Sequence, residues 1–299
     1  MSQEPTGAHK QAGKIAAKVR DETAEKLEPG MKIVEVCEYA ESRITELGGK
    51  PAFPCNVSID HIAAHYTSPR NDESILPDSG LVKIDIGVHV DGYIADTART
   101  VDLTRELEGF IAATDDALQE AIELMQPSTS LGDIGSKIED VIGAYGLRPI
   151  RNLSGHEMKR YRLHGGKRVP NVKERFTDKI EAGETYAIEP FATTGTGKVT
   201  DTKYTYIFSN TRAEVTLDDV TQKLRDHLLK NYGPFPFAAR WVGTRNDDLE
   251  LEKEFVKLLD SNAIKPYPVL VEKGNRPVAQ SEHTVFVGRG RTLTLTLRN

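Results

Sequence analysis

Two amphipathic helix pairs recur along this chain at a fixed offset. Pro29 and Pro127, Ile33 and Leu131, Ile44 and Ile142, and Gly48 and Gly146 each stand 98 residues apart. In the first pair, Ile15, Ala16, Val19, Thr23 and Leu27 form one helical stripe that Pro29-Gly30 ends. Ile33, Cys37, Ala40, Ile44 and Leu47 form another that Gly48-Gly49 stops. In the second pair, Leu107, Ile111, Leu118, Ile122 and Met125 lead to Pro127, and Leu131, Ile134, Ile138, Ile142 and Tyr145 lead to Gly146. Unrelated segments would not keep one spacing at four positions, so the chain carries a duplicated helix-helix-strand unit. After each pair comes a histidine, His65 and then His164, and after each histidine an alternating strand with an acid, Asp85 and Glu189. A pseudo-two-fold between the copies would set these strands side by side and turn both histidines and both acids into one cleft. This is an α+β reading, distinct from a doubly wound sheet in which single strands alternate with single helices.

The second copy is interrupted. Between Ile207 and Pro266, Val220, Leu224 and Leu228 and then Phe255, Leu258 and Leu259 mark further helices around a turn-rich stretch from Asn231 to Phe237. An inserted helical subdomain over 207–266 is expected, with 1–206 and 267–299 forming the main domain. Beyond it Val278 to Val287 alternates, Gly288-Arg289-Gly290 turns the chain, and Thr292 to Leu297 alternates again, which predicts a C-terminal strand. A length of 299 residues suits one domain carrying an insertion.

Composition removes several classes of function. Hydrophobic residues at 38% and charged residues at 28% supply a core, and the net charge of −6 comes without a basic stretch dense enough to track a phosphate backbone. Nucleic acid is not expected as a partner. No run of eighteen apolar residues occurs and Met1 to Lys10 is polar, so no membrane association and a cytoplasmic location are expected. Cys37 and Cys55 form no CxxC pair and read as small buried side chains in a reducing compartment.

The strongest local signal runs from Leu81 to Val101. Val82, Ile84, Ile86, Val88 and Val90 alternate with Lys83, Asp85, Gly87 and His89 up to Asp91-Gly92, a two-residue hairpin turn. With that turn, Val90 faces Tyr93, Gly87 faces Asp96 and Asp85 faces Ala98. Asp85 and Asp96 become diagonal neighbours on one face, roughly 7–8 Å apart at the backbone, and Gly87 is expected to leave the space between them unfilled. One aspartate on a strand is ordinarily surface. The rest of the set shifts the balance: His156 after Gly155, Glu189 within Tyr186-Ala187-Ile188-Glu189-Pro190, and Glu282 within Gln280-Ser281-Glu282-His283. Four carboxylates and an imidazole suit divalent first-row ions, and the absence of sulfur argues against structural zinc. Two ions about 3.5–4 Å apart activate water and polarise a carbonyl, so the residues alone point to a metal-dependent hydrolase. HExxH, GxSxG and GxxxxGK[ST] are all absent.

The segments Phe53-Pro54, Ala63-Ala64-His65-Tyr66-Thr67, Lys83-Ile84-Asp85 through Asp96-Thr97, Gly155-His156, Arg162-Leu163-His164-Gly165, Ala187-Ile188-Glu189, Pro266-Tyr267-Pro268 and Gln280-Ser281-Glu282-His283-Thr284 resemble type 2 methionine aminopeptidases, in order and over nearly the whole chain. The insertion before Tyr267 is similar to the one that separates type 2 from type 1 enzymes. The lack of a long charged N-terminal extension looks like the archaeal form.

The resemblance implies the pita-bread fold, in agreement with the duplication. It implies two divalent metal ions per chain, cobalt, manganese, iron or zinc, held by Asp85, Asp96, His156, Glu189 and Glu282. Asp96 and Glu282 would bridge the ions, Asp85 would bind one, and His156 with Glu189 the other. It further implies attack of a metal-bridging hydroxide on the first peptide bond, with Glu189 passing a proton to the leaving amine. His65 would hydrogen-bond the scissile amide nitrogen and His164 the developing oxyanion. The substrate's α-amino group would bind a metal ion, and Phe53, Leu163 and Tyr267 would wall the methionine pocket. Substrates would be the N-termini of nascent polypeptides with a small second residue, and the protein a monomer.

Each role has a plainer alternative. His65 and His164 taken singly read as packed core histidines, and Phe53, Leu163 and Tyr267 as ordinary core. His61, His89 and His283 match no ligand position and read as neighbours of the site or surface groups. Pro190 suggests a strand edge or bulge. A proline-specific peptidase and a non-catalytic partner of ribosomes are the competing functions, the first disfavoured by the pocket segments and insertion, the second by the full ligand set. Lys223, Arg225 and Lys230 offer a surface for a ribosome or, more simply, a solvated helix face.

Overall fold

The duplication is built as two helix pairs, α1 (Gly7–Glu25) with α2 (Ile33–Glu46) and α3 (Glu108–Glu123) with α4 (Leu131–Ala144), each laid over its own antiparallel sheet. The computed structural model describes residues 4–243 and 248–298; residues 244–247 of the expected insertion, the first three residues and Asn299 lie outside the described residues. Helices α2 and α4 are both 14 residues long and begin and end at the 98-residue offset. The five buried residues of α3, Ala113, Thr114, Ala117, Leu118 and Ala121, fall at the same offset from buried Ile15, Ala16, Val19, Arg20 and Thr23 of α1. Gly48 and Gly146 follow the two 14-residue helices with φ of 84° and 72°, a left-handed conformation that costs glycine nothing. Helix α1 starts earlier than Lys10 because Thr6 caps it, accepting from the His9 N–H at 3.2 Å, and it ends at Glu25, before Pro29.

In the first half, strand Leu81–Val90 pairs with Tyr93–Asp102, Asn56–Ile59 and Lys50–Pro51. Its Val82, Ile84, Ile86 and Val88 pack against Ile15, Val19, Cys37 and Ile44, and both cysteines are buried free thiols. In the second half, strands Ser154–Met158, Arg168–Pro170, Thr185–Ile188, His283–Val287 and Thr292–Thr294 form one sheet, whose Tyr186, Ile188, Val285 and Val287 meet Ala117, Ile134, Ile138 and Ile142. Each fully buried aliphatic side chain contributes about 1.5–3 kcal/mol, against about 0–1 kcal/mol for an exposed ion pair. The two helix-on-sheet cores therefore hold the halves.

The alternation over Val278 to Val287 is not one strand. It breaks at Ser281-Glu282, and its partner breaks at Glu189-Pro190: Phe191–Thr193 pairs with Val278–Gln280, and Thr185–Ile188 with His283–Val287. Pro190 thus lies neither at an edge nor in a bulge. It occupies a break where the chain passes from one sheet to another, and its carbonyl still accepts from the Ser281 N–H at 3.3 Å. The C-terminal strand is shorter than its alternation predicts, since after Thr294 the Leu295 N–H turns to the Thr284 carbonyl.

The halves meet along strand Tyr93–Asp102. Ala98 and Glu282 exchange backbone hydrogen bonds at 3.4 and 3.1 Å. Threonines secure this seam reciprocally: Thr97 Oγ1 donates to the Glu282 carbonyl and Thr284 Oγ1 to the Asp96 carbonyl, both at 2.7 Å, and Thr100 Oγ1 donates to the Gln280 carbonyl at 2.6 Å.

Strands Val199–Asn210 and Ile264–Glu272 form a ladder, with Ile207 opposite Tyr267 and Asn210 opposite Ile264. Between them lie α5 (Asp219–Tyr232), capped by Asp218, and α6 (Asp248–Asp260), with a small core of Phe208, Leu228, Phe237, Phe255 and Leu258. Buried Arg240 seats this unit on α2 through an ion pair with Glu41, and its guanidinium reaches Thr67 Oγ1 at 2.6 Å. Trp241 Nε1 donates to the same Glu41 at 2.9 Å. Lys223 and Lys230 are exposed, whereas Arg225 is half-buried and donates to the Ala213 carbonyl. Among the described residues, no helix is long and apolar enough to cross a membrane.

Candidate metal centre

The hairpin register is the one read from the sequence: Val90 opposite Tyr93, Gly87 opposite Asp96, and Asp85 opposite Ala98. Residues opposite one another share a face. Ala98 in turn pairs with Glu282 across the seam, and the register kept on both sides of the strand breaks puts Glu189 opposite Glu282. Asp85, Ala98, Glu282 and Glu189 thus form one rung across four strands. Asp96 lies diagonally from Asp85, and His156, opposite Ala187, lies diagonally from Glu189. The small Ala98 side chain is what leaves the middle of this rung free.

The side chains converge accordingly. Oxygens of Asp85, Asp96 and Glu282 all lie within 4.8 Å of one another, and His156 Nε2 lies 3.5 Å from Asp96 Oδ2 and 3.9 Å from Glu189 Oε1. Among the described residues no lysine or arginine forms an ion pair with any of the four carboxylates, although Asp96 and Glu282 are only 3% and 2% exposed. Burial pushes the Asp96 carboxyl up to about 7. Burial and then the Asp96 charge hold Asp85 well above the usual carboxylate range, against hydrogen bonds from Gln280 and Asn56. Glu189 and Glu282 are raised for the same two reasons in the same order. Asp85 Oδ1 and Asp96 Oδ1 are buried without a hydrogen-bond partner. Such a group calls for cations, and a nitrogen with carboxylate oxygens is the donor set that divalent first-row ions take. The residues fit metal.

All ten side chains singled out in the sequence line one cleft of about 390 Å³: Phe53, His65, Asp85, Asp96, His156, Leu163, His164, Glu189, Tyr267 and Glu282. His65 follows strand Ile62–Ala64 at φ 64°, a left-handed conformation uncommon outside glycine and enriched at functional sites. Its Nδ1 lies 3.2 Å from the Pro268 carbonyl. Burial lowers its pKa, so the ring is neutral at pH 7, Nδ1–H donates to that carbonyl, and Nε2 is an acceptor. His156 is brought down to about 4 by burial. His164, at the open side, is brought to about 3 by desolvation and then by the fields of His156, Lys265 and His65. His156 and His164 have ring centroids 4.5 Å apart.

Phe53 and Leu163 form one apolar wall with Ile94, Met158 and Phe235, and Tyr267 stands edge-on to His65, centroids 5.7 Å apart. The space above Gly87 is not open, contrary to expectation. A Cβ there would lie 2.2 Å from Phe53 Cε1, so the missing side chain makes room for the phenyl ring. Of the other histidines, His89 stacks on Phe235 at 4.3 Å and His283 is turned away from the cleft toward Arg20.

The sequence reading missed Asn56, opposite Asp85, and Gln280, which donates to Glu282 Oε2 at 3.3 Å. Gln280 carries a readable signal, since it lies two residues before Glu282 and therefore on its face. It also missed Pro236, which the inserted segment contributes to the cleft from far along the chain.

Comparison with known proteins decides the family. The model of metallopeptidase family M24 matches residues 7–205. The methionine aminopeptidase of Methanocaldococcus jannaschii is 46% identical over 277 residues, 93% of each chain. The chain belongs to the methionine aminopeptidases of metallopeptidase family M24. The pita-bread fold goes with it. A thermophilic Arx1 superimposes with a TM-score of 0.85 at 20% identity, covering 96% of this chain and 89% of that one. A methionine aminopeptidase from Thermotoga maritima does so with 0.72 at 19%, covering 100% of both. At such identities these two speak for the fold alone.

Proposed function

We infer that this cleft removes the N-terminal methionine from polypeptides by metal-dependent hydrolysis of the first peptide bond. The observation that carries the reading is the convergence of four carboxylates, three neutral imidazoles and an apolar wall in one cleft, in a chain of this metallopeptidase family. Asp85, Asp96, His156, Glu189 and Glu282 would hold two divalent ions. Cobalt, manganese, iron and zinc all suit this donor set. When bound, the ions supply charge that eases ionisation of water near neutral pH and polarises the scissile carbonyl.

The chain's own groups do the rest. The Glu189 carboxylate takes the proton of the attacking water and returns it to the departing amine. His65 Nε2, an acceptor because Nδ1–H is held by the Pro268 carbonyl, receives the N–H of the scissile amide. Neutral His164 donates its ring N–H to the oxygen that gains charge. Phe53, Leu163 and Tyr267 enclose the methionine side chain, and a small second residue avoids crowding the cleft. The substrates under this reading are N-termini of nascent chains, met by a monomer in the cytoplasm; contact with the ribosome would fall to the inserted unit over 207–266.

The test is release of free methionine from a Met-Ala-Ser peptide by chelator-stripped protein, with and without added manganese or cobalt. Metal-restored release is expected. Folded protein that releases nothing with any metal would overturn the reading in favour of a proline-specific or non-catalytic relative.

A further inference from the structure

Arg20 is buried in α1, 7% exposed, at the position where the duplicated unit has Leu118, itself 4% exposed. The copy fills this place with a leucine, so packing of helix on sheet does not demand an arginine. A buried guanidinium is costly unless hydrogen bonds and a counter-charge offset it. Here they are present and gathered at one place. Arg20 Nε donates to Asp21 Oδ1 at 2.9 Å, and Nη1 lies 2.7 Å from Thr97 Oγ1, 3.2 Å from His283 Nδ1 and 3.3 Å from the Thr296 carbonyl. Arginine is only a donor, so Thr97 Oγ1 accepts from it and passes its own hydrogen to the Glu282 carbonyl at 2.7 Å. His283 Nδ1 also lies 2.8 Å from Thr296 Oγ1, which accepts from the Thr284 N–H at 3.0 Å.

Thr97 follows Asp96 and His283 follows Glu282 in the chain. Neighbouring strand residues face opposite ways, so Arg20 grips from behind the two strands that present Asp96 and Glu282 to the cleft. We propose that Arg20 is a positioning residue: acting through Thr97 and His283, it fixes the spacing between Asp96 and Glu282 and thereby sets how tightly a second divalent cation is held. This rests on the two-ion reading given above. One ion recentres among its ligands when a carboxylate shifts by a fraction of an ångström. A carboxylate shared by two ions has no such freedom, so loss of the grip falls on the second ion. Substitutions behind metal ligands lower affinity by about 10–100-fold.

The experiment is Mn²⁺ titration of chelator-stripped protein followed by electron paramagnetic resonance, with thermal unfolding of metal-free and loaded forms. Wild type is expected to take up two ions with a spin-coupled pair signal. Arg20→Met is expected to keep the first ion within about threefold and lose about tenfold or more for the second. It should melt lower than wild type when metal-free, because buried Asp21 is left with Arg99 at 3.6 Å, and lose more again when loaded, with Arg20→Lys recovering part of the second-ion affinity. An Arg20→Met protein that binds both ions as wild type does, or that loses as much melting temperature metal-free as loaded, overturns the proposal. Should Arg20→Met fail to fold, Thr97→Val keeps the charge and deletes the relay to Glu282, and unchanged second-ion affinity there overturns it equally. Wild-type protein that binds one ion or none overturns the two-ion reading itself, before any substitution is made.

Discussion

Glu189 stands directly opposite Glu282 on neighbouring antiparallel strands, each at the break where its strand passes between sheets. Like charges in that relation repel, and here burial and the nearby aspartates add to the cost. The arrangement is tolerable only with cations or protons between the carboxylates. Glu282→Gln is therefore expected to stabilise the chelator-treated protein at pH 8 by about 1–3 kcal/mol, seen as a rise of a few degrees in melting temperature, while costing about 100-fold or more in metal-dependent turnover. Scanning calorimetry with and without manganese checks it. A lower metal-free melting temperature in the variant would show that the pair is not under electrostatic load.

The same carboxylates set a pH dependence. Burial pushes the Asp96 carboxyl of the folded, metal-free protein up to about 7, while an unfolded aspartate titrates near 3.9. Between those values the folded state binds the extra proton, so the stability this group contributes is complete below about 4 and is lost as pH rises through 7. Metal must displace that proton. Asp85, Glu189 and Glu282 are raised as well and act in the same sense, whereas a shifted group away from the carboxylates, such as Lys83 at about 7, acts alike in both forms and cancels in the comparison. The increment in melting temperature on saturating with manganese should grow from pH 6 to pH 8. An increment that is flat or shrinks over that range would contradict the assignment of metal to these carboxylates.

The left-handed backbone of His65 separates its structural cost from its chemistry. A non-glycine residue there costs about 1–2 kcal/mol, which glycine relieves while losing more chain entropy on folding. His65→Gly should fall within about 1 kcal/mol of wild type and be more stable than His65→Ala, and both should lose about 10²–10⁴-fold in turnover with Mn²⁺ affinity retained. Steady-state kinetics beside denaturant titration decide, and near-normal turnover in either variant would remove His65 from the mechanism.

How much of this was legible follows from what kind of information each feature uses. The helix pairs and the hairpin are local: periodicity, Pro29, Gly48 and Asp91-Gly92 set them, and the Asp85–Asp96 diagonal followed from counting back from one turn. The rung is not local. Glu189 meets Glu282 only because two strands break in register, and a break reads in sequence as mere interruption, which is why Pro190 suggested an edge. Pro236 reaches the cleft through tertiary packing of the inserted unit, seated by Glu41 and Arg240 from distant helices, and no spacing rule reports that. Gly87 was misread because absence of a side chain does not say what occupies the gap.

The gap at Gly87 bears on how methionine is selected. Phe53 is 7% exposed and fills the place of a Gly87 side chain, while Gly87 lies opposite Asp96 in the ladder. A methyl group at 87 cannot coexist with the ring at 2.2 Å, and overpacking of this kind costs about 1–3 kcal/mol unless a neighbour moves. The strand is held by ladders on both sides, so the ring must give, and it moves within the wall that would enclose the methionine side chain. Gly87→Ala should raise KM for Met-Ala-Ser about tenfold, equivalent to about 1.4 kcal/mol of lost binding, with Mn²⁺ affinity unchanged because Asp85 and Asp96 keep their register. Phe53→Leu in the Gly87→Ala background should restore part of the loss by returning volume. If Gly87→Ala instead weakened Mn²⁺ binding and left KM alone, the glycine would be serving the carboxylates, as the sequence first suggested, and Phe53 would have no part in selecting methionine.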